Sequence, residues 1–162
     1  MTEVEGALDL GGFTLTARAD RIDIAEDGSV AIYDYKTGKP PLQTHVDKLF
    51  APQLPLEAII AEGGGFKDLG KREVNSLVYI NASGRNEGGE EREAAKTDPS
   101  VLARKALADL AALIARYDDP TMPYEVKRRS AQAFRRLYDY DDYEHLARVQ
   151  EWLTQEAEEE FR

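Results

Sequence analysis

The sequence predicts an α/β fold in which helices pack on a mixed β-sheet. Three observations support this prediction. The first forty residues alternate apolar and polar side chains in runs that glycine-containing turns separate. Three later segments place apolar residues at helical spacing, and one further strand pattern lies between the first two of them. The predicted order is therefore strand, strand, strand, helix, strand, helix, helix, within a single domain over residues 1–162.

Four segments carry the strand patterns. Residues 13–17 alternate after a Gly-Gly turn, and residues 20–24 continue as a second strand or as a bent extension of the first. A tight turn containing Gly28 leads to a strand over residues 30–36, so these segments form a meander. Residues 73–81 are rich in apolar side chains and supply the last predicted strand.

Proline and glycine mark the ends of the predicted helices. The first helix starts near Pro52, because a first helical turn tolerates proline, and it stops at the glycines of residues 63–65. The second opens at Asp98, a capping residue that proline follows, and runs for about 18 residues. A final helix is predicted from about Asp141, and the segment before it is irregular and basic. Residues 82–96 are predicted to form a polar loop.

Composition is typical of a soluble globular protein, with 42% hydrophobic and 32% charged residues. The chain contains no cysteine, which excludes disulfides, thiolate zinc sites and iron–sulfur clusters. No apolar run approaches the roughly 20 residues of a membrane helix, and the acidic N-terminus lacks the features of a signal peptide, so a cytoplasmic location is expected. The formal net charge of -10 argues against a free-standing nucleic-acid binder, although basic residues cluster near residues 67–72 and 127–136.

Two acids lie where a buried strand would normally carry apolar residues. Asp34 and Lys36 are two residues apart, so their side chains point to the same face of one strand, and Asp20 can reach them from the neighbouring strand. Two carboxylates suit Mg²⁺ or Mn²⁺, which would activate a water that the lysine orients. The alternative is an ordinary strand salt bridge, which is worth little when exposed. The apolar neighbours Ile22 and Ile32 argue against that alternative, because a lone buried charge is costly.

The pattern Asp20 … Asp34-Tyr35-Lys36 resembles the signature of PD-(D/E)XK nucleases, the restriction-endonuclease-like superfamily. The segments 19–23 and 34–38 resemble its RecB-type branch. The resemblance extends to the C-terminal segment 138–149, which is similar to the tail of AddB proteins, the second subunits of AddAB helicase–nucleases. It implies a restriction-endonuclease-like fold, a mixed sheet flanked by α-helices.

The resemblance also implies a role for each motif residue. Asp20 is the expected first metal ligand, Asp34 the second, and the carbonyl of Tyr35 the third. Lys36 is the expected catalytic lysine. Gln53 resembles the glutamine of a helical motif and is expected beside the catalytic site or the DNA. The implied cofactor is Mg²⁺ or Mn²⁺, with no iron–sulfur cluster.

Three departures from the family pattern bear on activity. Glu57 stands where the RecB-type motif usually has tyrosine, and the cysteines of the cluster found in some AddB proteins are absent. RecB-type nucleases also carry an acidic or histidine residue on a helix upstream of the first strand, whereas this chain begins almost at that strand. Glu5 is a candidate substitute, although an exposed terminal glutamate is the preferred interpretation. We therefore expect a fragment of a longer protein, with weak activity in isolation.

The resemblance implies a DNA nuclease, expected to be an exonuclease, in an AddB-like subunit that acts in double-strand break repair. Its implied partners are DNA and an AddA-like helicase–nuclease subunit, with no membrane. Two alternatives stay open: a non-catalytic scaffold or DNA-end guide, and a metal-dependent hydrolase of another phosphate ester. Arg18 and Arg21 are candidate contacts to DNA phosphates, or else solvated residues of a strand edge. Asp23 is expected to form a surface ion pair, for example with Arg21.

Overall fold

A computed structural model describes residues 1–82 and 89–123 of the chain. These residues contain five strands and three helices. The strands are β1 (Thr2–Asp9), β2 (Thr14–Ile24), β3 (Val30–Lys36), β4 (Val74–Asn81) and β5 (Glu90–Glu93). The helices are α1 (Gln43–Asp47), α2 (Gln53–Gly63) and α3 (Pro99–Tyr117).

The strands form one sheet in the order β1-β2-β3-β4-β5. Neighbouring strands are antiparallel except β3 and β4, which are parallel. A parallel pair needs a crossover connection, and α1 and α2 lie in this one. The prediction of a mixed sheet with helices packed on it is therefore confirmed.

The chain divides into two compact units, Met1–Asp118 and Asp119–Arg162. All eight elements lie in the first unit. Of the second unit only residues 119–123 are described, so the predicted final helix from Asp141 and the AddB-like segment 138–149 lie outside the described residues. The organisation as a single domain stays a prediction.

The strand β1 was not predicted. In this segment Val4 and Gly6 are buried and Leu8 is half-buried, and a glycine inside a strand weakens the strand pattern. A close approach requires that glycine, because a Cβ atom at Gly6 would lie 2.5 Å from Cδ1 of Phe66. Pairing with β2 therefore makes this segment a strand, despite its weak local pattern.

Local boundaries agree with the prediction only in part. Of the two alternatives for residues 20–24, the extension is observed: one continuous strand, β2, covers both predicted segments, because β1 pairs with it from Thr14 to Arg21. The strand β5 lies within the predicted polar loop, where its backbone pairs with β4 although its four residues are all charged. The short helix α1 was also missed, and it buries one side chain, that of Val46.

The helices α2 and α3 begin and end close to the predicted residues. Helix α2 stops where Gly64 takes a left-handed φ of 80° and donates its N–H to the carbonyl of Ala61 over 3.1 Å. Asp98 caps α3 by accepting the N–H of Val101 over 3.1 Å. Among the helices of residues 1–82 and 89–123, none has the length and apolar character that a membrane span requires.

The core lies where α2 and α3 pack against the sheet. Helix α2 contacts the strands β1 to β4, and α3 contacts α2 and β4. Along β3, the buried side chains are those of Val30, Ile32 and Asp34, which alternate and so share one face. The fold therefore places an acid in the row of core residues, near the carboxyl end of β3.

Candidate active site

Asp34 and Lys36 form an ion pair at the carboxyl end of β3. Lys36 Nζ donates to Asp34 Oδ1 over 3.0 Å and lies 2.8 Å from Asp34 Oδ2. The Asp34 side chain is 4% exposed and that of Lys36 is 33% exposed. The alternative interpretation was a strand salt bridge, and the structure does contain one, with a buried anion beside an amine that reaches solvent. It differs in burial from the exposed pairs that contribute little to stability.

Gln53, the first residue of α2, joins these two side chains. Its Nε2 donates to Asp34 Oδ1 over 2.7 Å, and its Oε1 accepts from Lys36 Nζ over 3.2 Å. The three side chains therefore form a closed set of hydrogen bonds that links the start of α2 to the end of β3. The structure brings Gln53 together with Asp34 and Lys36, as the resemblance led us to expect.

Asp20 lies on β2, beside the backbone of β3. Its Oδ2 accepts the N–H of Tyr35 over 2.9 Å, so the carboxylate stands next to the peptide between Asp34 and Tyr35. Within the described part of the chain, no hydrogen bond or ion pair joins Asp20 to the amine of Lys36. Asp20 is thus held at the site by the backbone of the neighbouring strand rather than by the lysine.

Tyr35 contributes its backbone to this arrangement. Because it alternates with Asp34 along β3, its side chain points to the opposite face of the sheet, where it is 44% exposed. Its N–H is engaged by Asp20. The role of its carbonyl as a metal ligand stays a prediction.

The other charged residues of β1 and β2 are engaged away from the site. Arg21 donates to Asp23 over 2.9 Å and lies 4.7 Å from the centroid of the Tyr33 ring, so the predicted ion pair of Asp23 is confirmed. Arg18 pairs over 2.6 Å with an exposed glutamate of β1. Glu5 is exposed and lies opposite Arg18 in the β1–β2 register, in keeping with the preferred interpretation of an exposed glutamate.

Glu57 belongs to the site, although the sequence interpretation treated it only as a departure from a motif. It is 2% exposed, and its Oε1 accepts from Gln53 Nε2 over 3.2 Å. Burial raises the pKa of Glu57 to about 7, and the nearby charges of Asp34 and Asp20 add to this effect. Its position four residues after Gln53, on the same helix face and among apolar neighbours, was the signal that could have identified it.

Tyr79 is a second residue that the sequence interpretation missed. It lies on β4 directly beside Asp34 in the parallel register and is 1% exposed. Its ring centroid is 5.9 Å from Lys36 Nζ, and burial raises the pKa of its hydroxyl. This aromatic side chain therefore lies next to the ion pair of Asp34 and Lys36.

The donor set fits a hard divalent cation. Two carboxylate oxygens are buried here: Glu57 Oε2, which has no hydrogen-bond donor among the described residues, and Asp34 Oδ2, which is ion-paired with Lys36. Oxygen ligands of this kind are those that Mg²⁺ and Mn²⁺ prefer. In residues 1–82 and 89–123, no group of three or more acidic or histidine side chains is arranged to hold a metal. A cation here would therefore complete its coordination with water or backbone carbonyl oxygens, as Mg²⁺ commonly does.

A surface cavity of about 600 Å³ lies elsewhere in the first unit and shares no lining residue with this site. Its charged lining mixes basic and acidic side chains: Lys71, Arg72, Arg104, Glu62, Glu73 and Asp98. Cations and anions of this lining offset each other, so the cavity offers no concentration of one charge for a phosphate or a metal.

Comparison with known proteins gives three matches. The family model described as the PD-(D/E)XK nuclease superfamily matches residues 1–132. An uncharacterized protein of Rickettsia bellii (strain RML369-C) is 32% identical over 68 residues, which make up 40% of this chain and 8% of that protein. The crystal structure of SSO0001 is 23% identical over 70% of this chain and 50% of its own, with a TM-score of 0.37 that supports no conclusion here. The chain thus spans half or less of these two relatives.

Proposed function

Because the chain belongs to the PD-(D/E)XK nuclease superfamily, we propose that it is a metal-dependent deoxyribonuclease domain that hydrolyses phosphodiester bonds. The observation that carries this proposal is the hydrogen-bonded set of Asp34, Lys36 and Gln53, built around a buried carboxylate. Asp20 stands beside the same stretch of β3 backbone. The mixed sheet with flanking helices agrees with the restriction-endonuclease-like fold of this superfamily.

The proposed ligands of the metal are the carboxylates of Asp20 and Asp34 and the carbonyl of Tyr35. A bound Mg²⁺ or Mn²⁺ would supply positive charge at the phosphate and a water of lowered pKa. Asp34 suits this role because its carboxylate is a buried oxygen donor, 4% exposed, beside the ammonium of Lys36. Buried in a medium of low dielectric constant, its charge attracts a cation more strongly than it would in water.

Lys36 is proposed to act on the phosphate or on the attacking water. Its Nζ donates to Asp34 Oδ1 and Gln53 Oε1 and lies 2.8 Å from Asp34 Oδ2. The side chain is 33% exposed, so a phosphate oxygen or a water can approach the ammonium from solvent. Gln53 holds this amine in place, because it accepts from Lys36 while donating to Asp34.

We further propose that the domain is an exonuclease within an AddB-like subunit that acts in double-strand break repair. Support comes from the RecB-type motifs at residues 19–23 and 34–38 and from the similarity of segment 138–149 to AddB proteins. An AddA-like helicase–nuclease subunit is the proposed partner. The net charge of -10 is consistent with this partnership, because an acidic chain needs another subunit to provide the basic surface that binds DNA phosphates.

The proposal is tested by cleavage of linear DNA in Mn²⁺ by the 162-residue chain and by two variants. Lys36→Ala is expected to lower the cleavage rate by about 10²-fold or more, because it removes the cation that faces the developing charge. Lys39→Ala, at an exposed lysine that follows β3, is the matched control and is expected to keep the wild-type rate. Circular dichroism verifies that both variants fold.

Two results would speak against catalysis at this site. Equal cleavage by the wild-type protein and Lys36→Ala would remove the catalytic assignment. A wild-type protein that binds linear DNA ends without cutting them, at any concentration of Mn²⁺ or Mg²⁺, would instead favour the scaffold or end-guiding module. Cleavage of a small phosphate ester but not of DNA would identify a different substrate for the same residues.

A further inference from the structure

Glu57 is a buried carboxylate that has no role in the proposed reaction. It lies on α2, one helical turn after Gln53. Gln53 Nε2 donates both to Glu57 Oε1, over 3.2 Å, and to Asp34 Oδ1, over 2.7 Å. One amide nitrogen thus holds an oxygen from each carboxylate. The remaining oxygen of Asp34 lies 2.8 Å from Lys36 Nζ, whereas that of Glu57, Oε2, is buried without a hydrogen-bond donor among the described residues.

We infer that Glu57 is a ligand of the divalent cation, contributed by helix α2, and that it acts together with Asp34 of the sheet. The inference rests on the proposed function and adds a ligand that the motif residues do not include. Its basis is the buried Glu57 Oε2, which has no hydrogen-bond donor among the described residues, on a side chain that shares Gln53 as its hydrogen-bond partner with Asp34. Buried polar atoms are normally hydrogen-bonded, so the unpartnered oxygen of Glu57 is explained by a missing partner such as a bound ion.

The balance of charge at the site supports the same inference. Among the described residues, the carboxylates of Asp20, Asp34 and Glu57 are accompanied by one ammonium, that of Lys36. A divalent cation would supply the two positive charges that are missing when all three acids are ionised.

A purely structural role for Glu57 makes a different prediction. In that case its carboxylate would serve only to accept from Gln53 and so to keep the amide oriented toward Lys36. Glu57→Gln keeps the size of the side chain and a carbonyl that can accept the same hydrogen bond, while it removes the charge. The substitution therefore leaves a structural role intact and removes a ligand.

The test is the affinity of the 162-residue chain for Mn²⁺ alone, measured by electron paramagnetic resonance of the free ion, without DNA. Glu57→Gln is expected to weaken binding by at least about 10- to 100-fold, and Asp34→Asn by at least as much. Glu62→Gln, the same change on the same helix at a residue that accepts from Ser100, is the matched control and keeps the wild-type affinity. Circular dichroism in EDTA verifies that each variant is folded.

The outcomes separate this inference from the proposed function. Wild-type affinity in Glu57→Gln together with weak binding in Asp34→Asn would overturn the inference and leave the metal-dependent nuclease in place. Mn²⁺ binding that neither variant changes, or that the wild-type chain lacks, would overturn both. Weaker binding in both variants, with an unchanged Glu62→Gln, supports both.

Discussion

The Glu57→Gln substitution should change how the free energy of unfolding depends on pH when no metal ion is present. Burial, with a contribution from the charges of Asp34 and Asp20, raises the pKa of Glu57 from 4.5 to about 7 in the folded protein. In the unfolded chain this carboxyl has its ordinary pKa. As the pH rises, Glu57 therefore loses its proton in the unfolded state before it does so in the folded state. The stabilisation from this group is therefore fully present below pH 4.5 and is lost as the pH rises through about 7.

The size of this effect follows from the shift in pKa. Each pKa unit corresponds to about 1.4 kcal/mol, so raising the pKa of Glu57 to about 7 gives a change of about 3 kcal/mol across this range. A difference of that size is a substantial part of the stability of an ordinary domain. Glu57→Gln lacks the titrating group, so its free energy of unfolding should rise relative to that of the wild-type protein as the pH increases.

Urea unfolding followed by circular dichroism measures this difference, in EDTA, at intervals between pH 4.5 and pH 8. All other titrating groups are common to the two proteins, so their contributions to the difference in free energy of unfolding cancel to first order. Glu57→Leu is the control variant, because it also lacks the carboxyl but cannot accept from Gln53. The free energy of unfolding of Glu57→Leu should differ from that of Glu57→Gln by a constant amount, and the two variants should show the same dependence on pH. A difference between Glu57→Gln and the wild-type protein that does not change with pH would refute the reasoning.

Two further predictions concern packing and the site. Gln53→Ala removes the amide that joins Asp34 to Lys36, so we expect DNA cleavage in Mn²⁺ to slow by about 10- to 100-fold while circular dichroism stays unchanged; a wild-type rate would contradict the positioning role. Gly6→Ala places a Cβ atom 2.5 Å from Cδ1 of the buried Phe66, and we expect it to lower the free energy of unfolding by about 1–3 kcal/mol in urea. Gly38→Ala meets no atom within 4 Å and is the control, so an equal loss of stability in both variants would contradict the steric explanation.

Elements with a strong local pattern could be predicted from the sequence. The strand predicted over residues 73–81 is observed as Val74–Asn81, because most of its side chains are apolar and buried. The start of α3 followed from a capping aspartate and the proline after it, and the end of α2 from a run of glycines. These signals act within a few residues of the chain, so they need no tertiary partner.

The edge strands could not be predicted in the same way. The four residues of β5 are all charged, and only their pairing with β4 makes them a strand. The strand β1 contains a glycine whose presence is explained by Phe66, a residue sixty positions away in the chain. Each of these strands depends on the neighbour it pairs with, β2 for β1 and β4 for β5, and the local pattern of a segment carries no information about its pairing partner.

The sequence by itself determined that Asp34 and Lys36 would share a face, because the direction of alternate side chains follows from the geometry of a strand. The resemblance to a nuclease family extended the expected site to Asp20 and Gln53. Only the tertiary structure placed Glu57 there, because its approach to Asp34 depends on how α2 packs against the sheet. Local geometry fixes where a side chain points along its own element, whereas the meeting of two elements depends on the whole core between them.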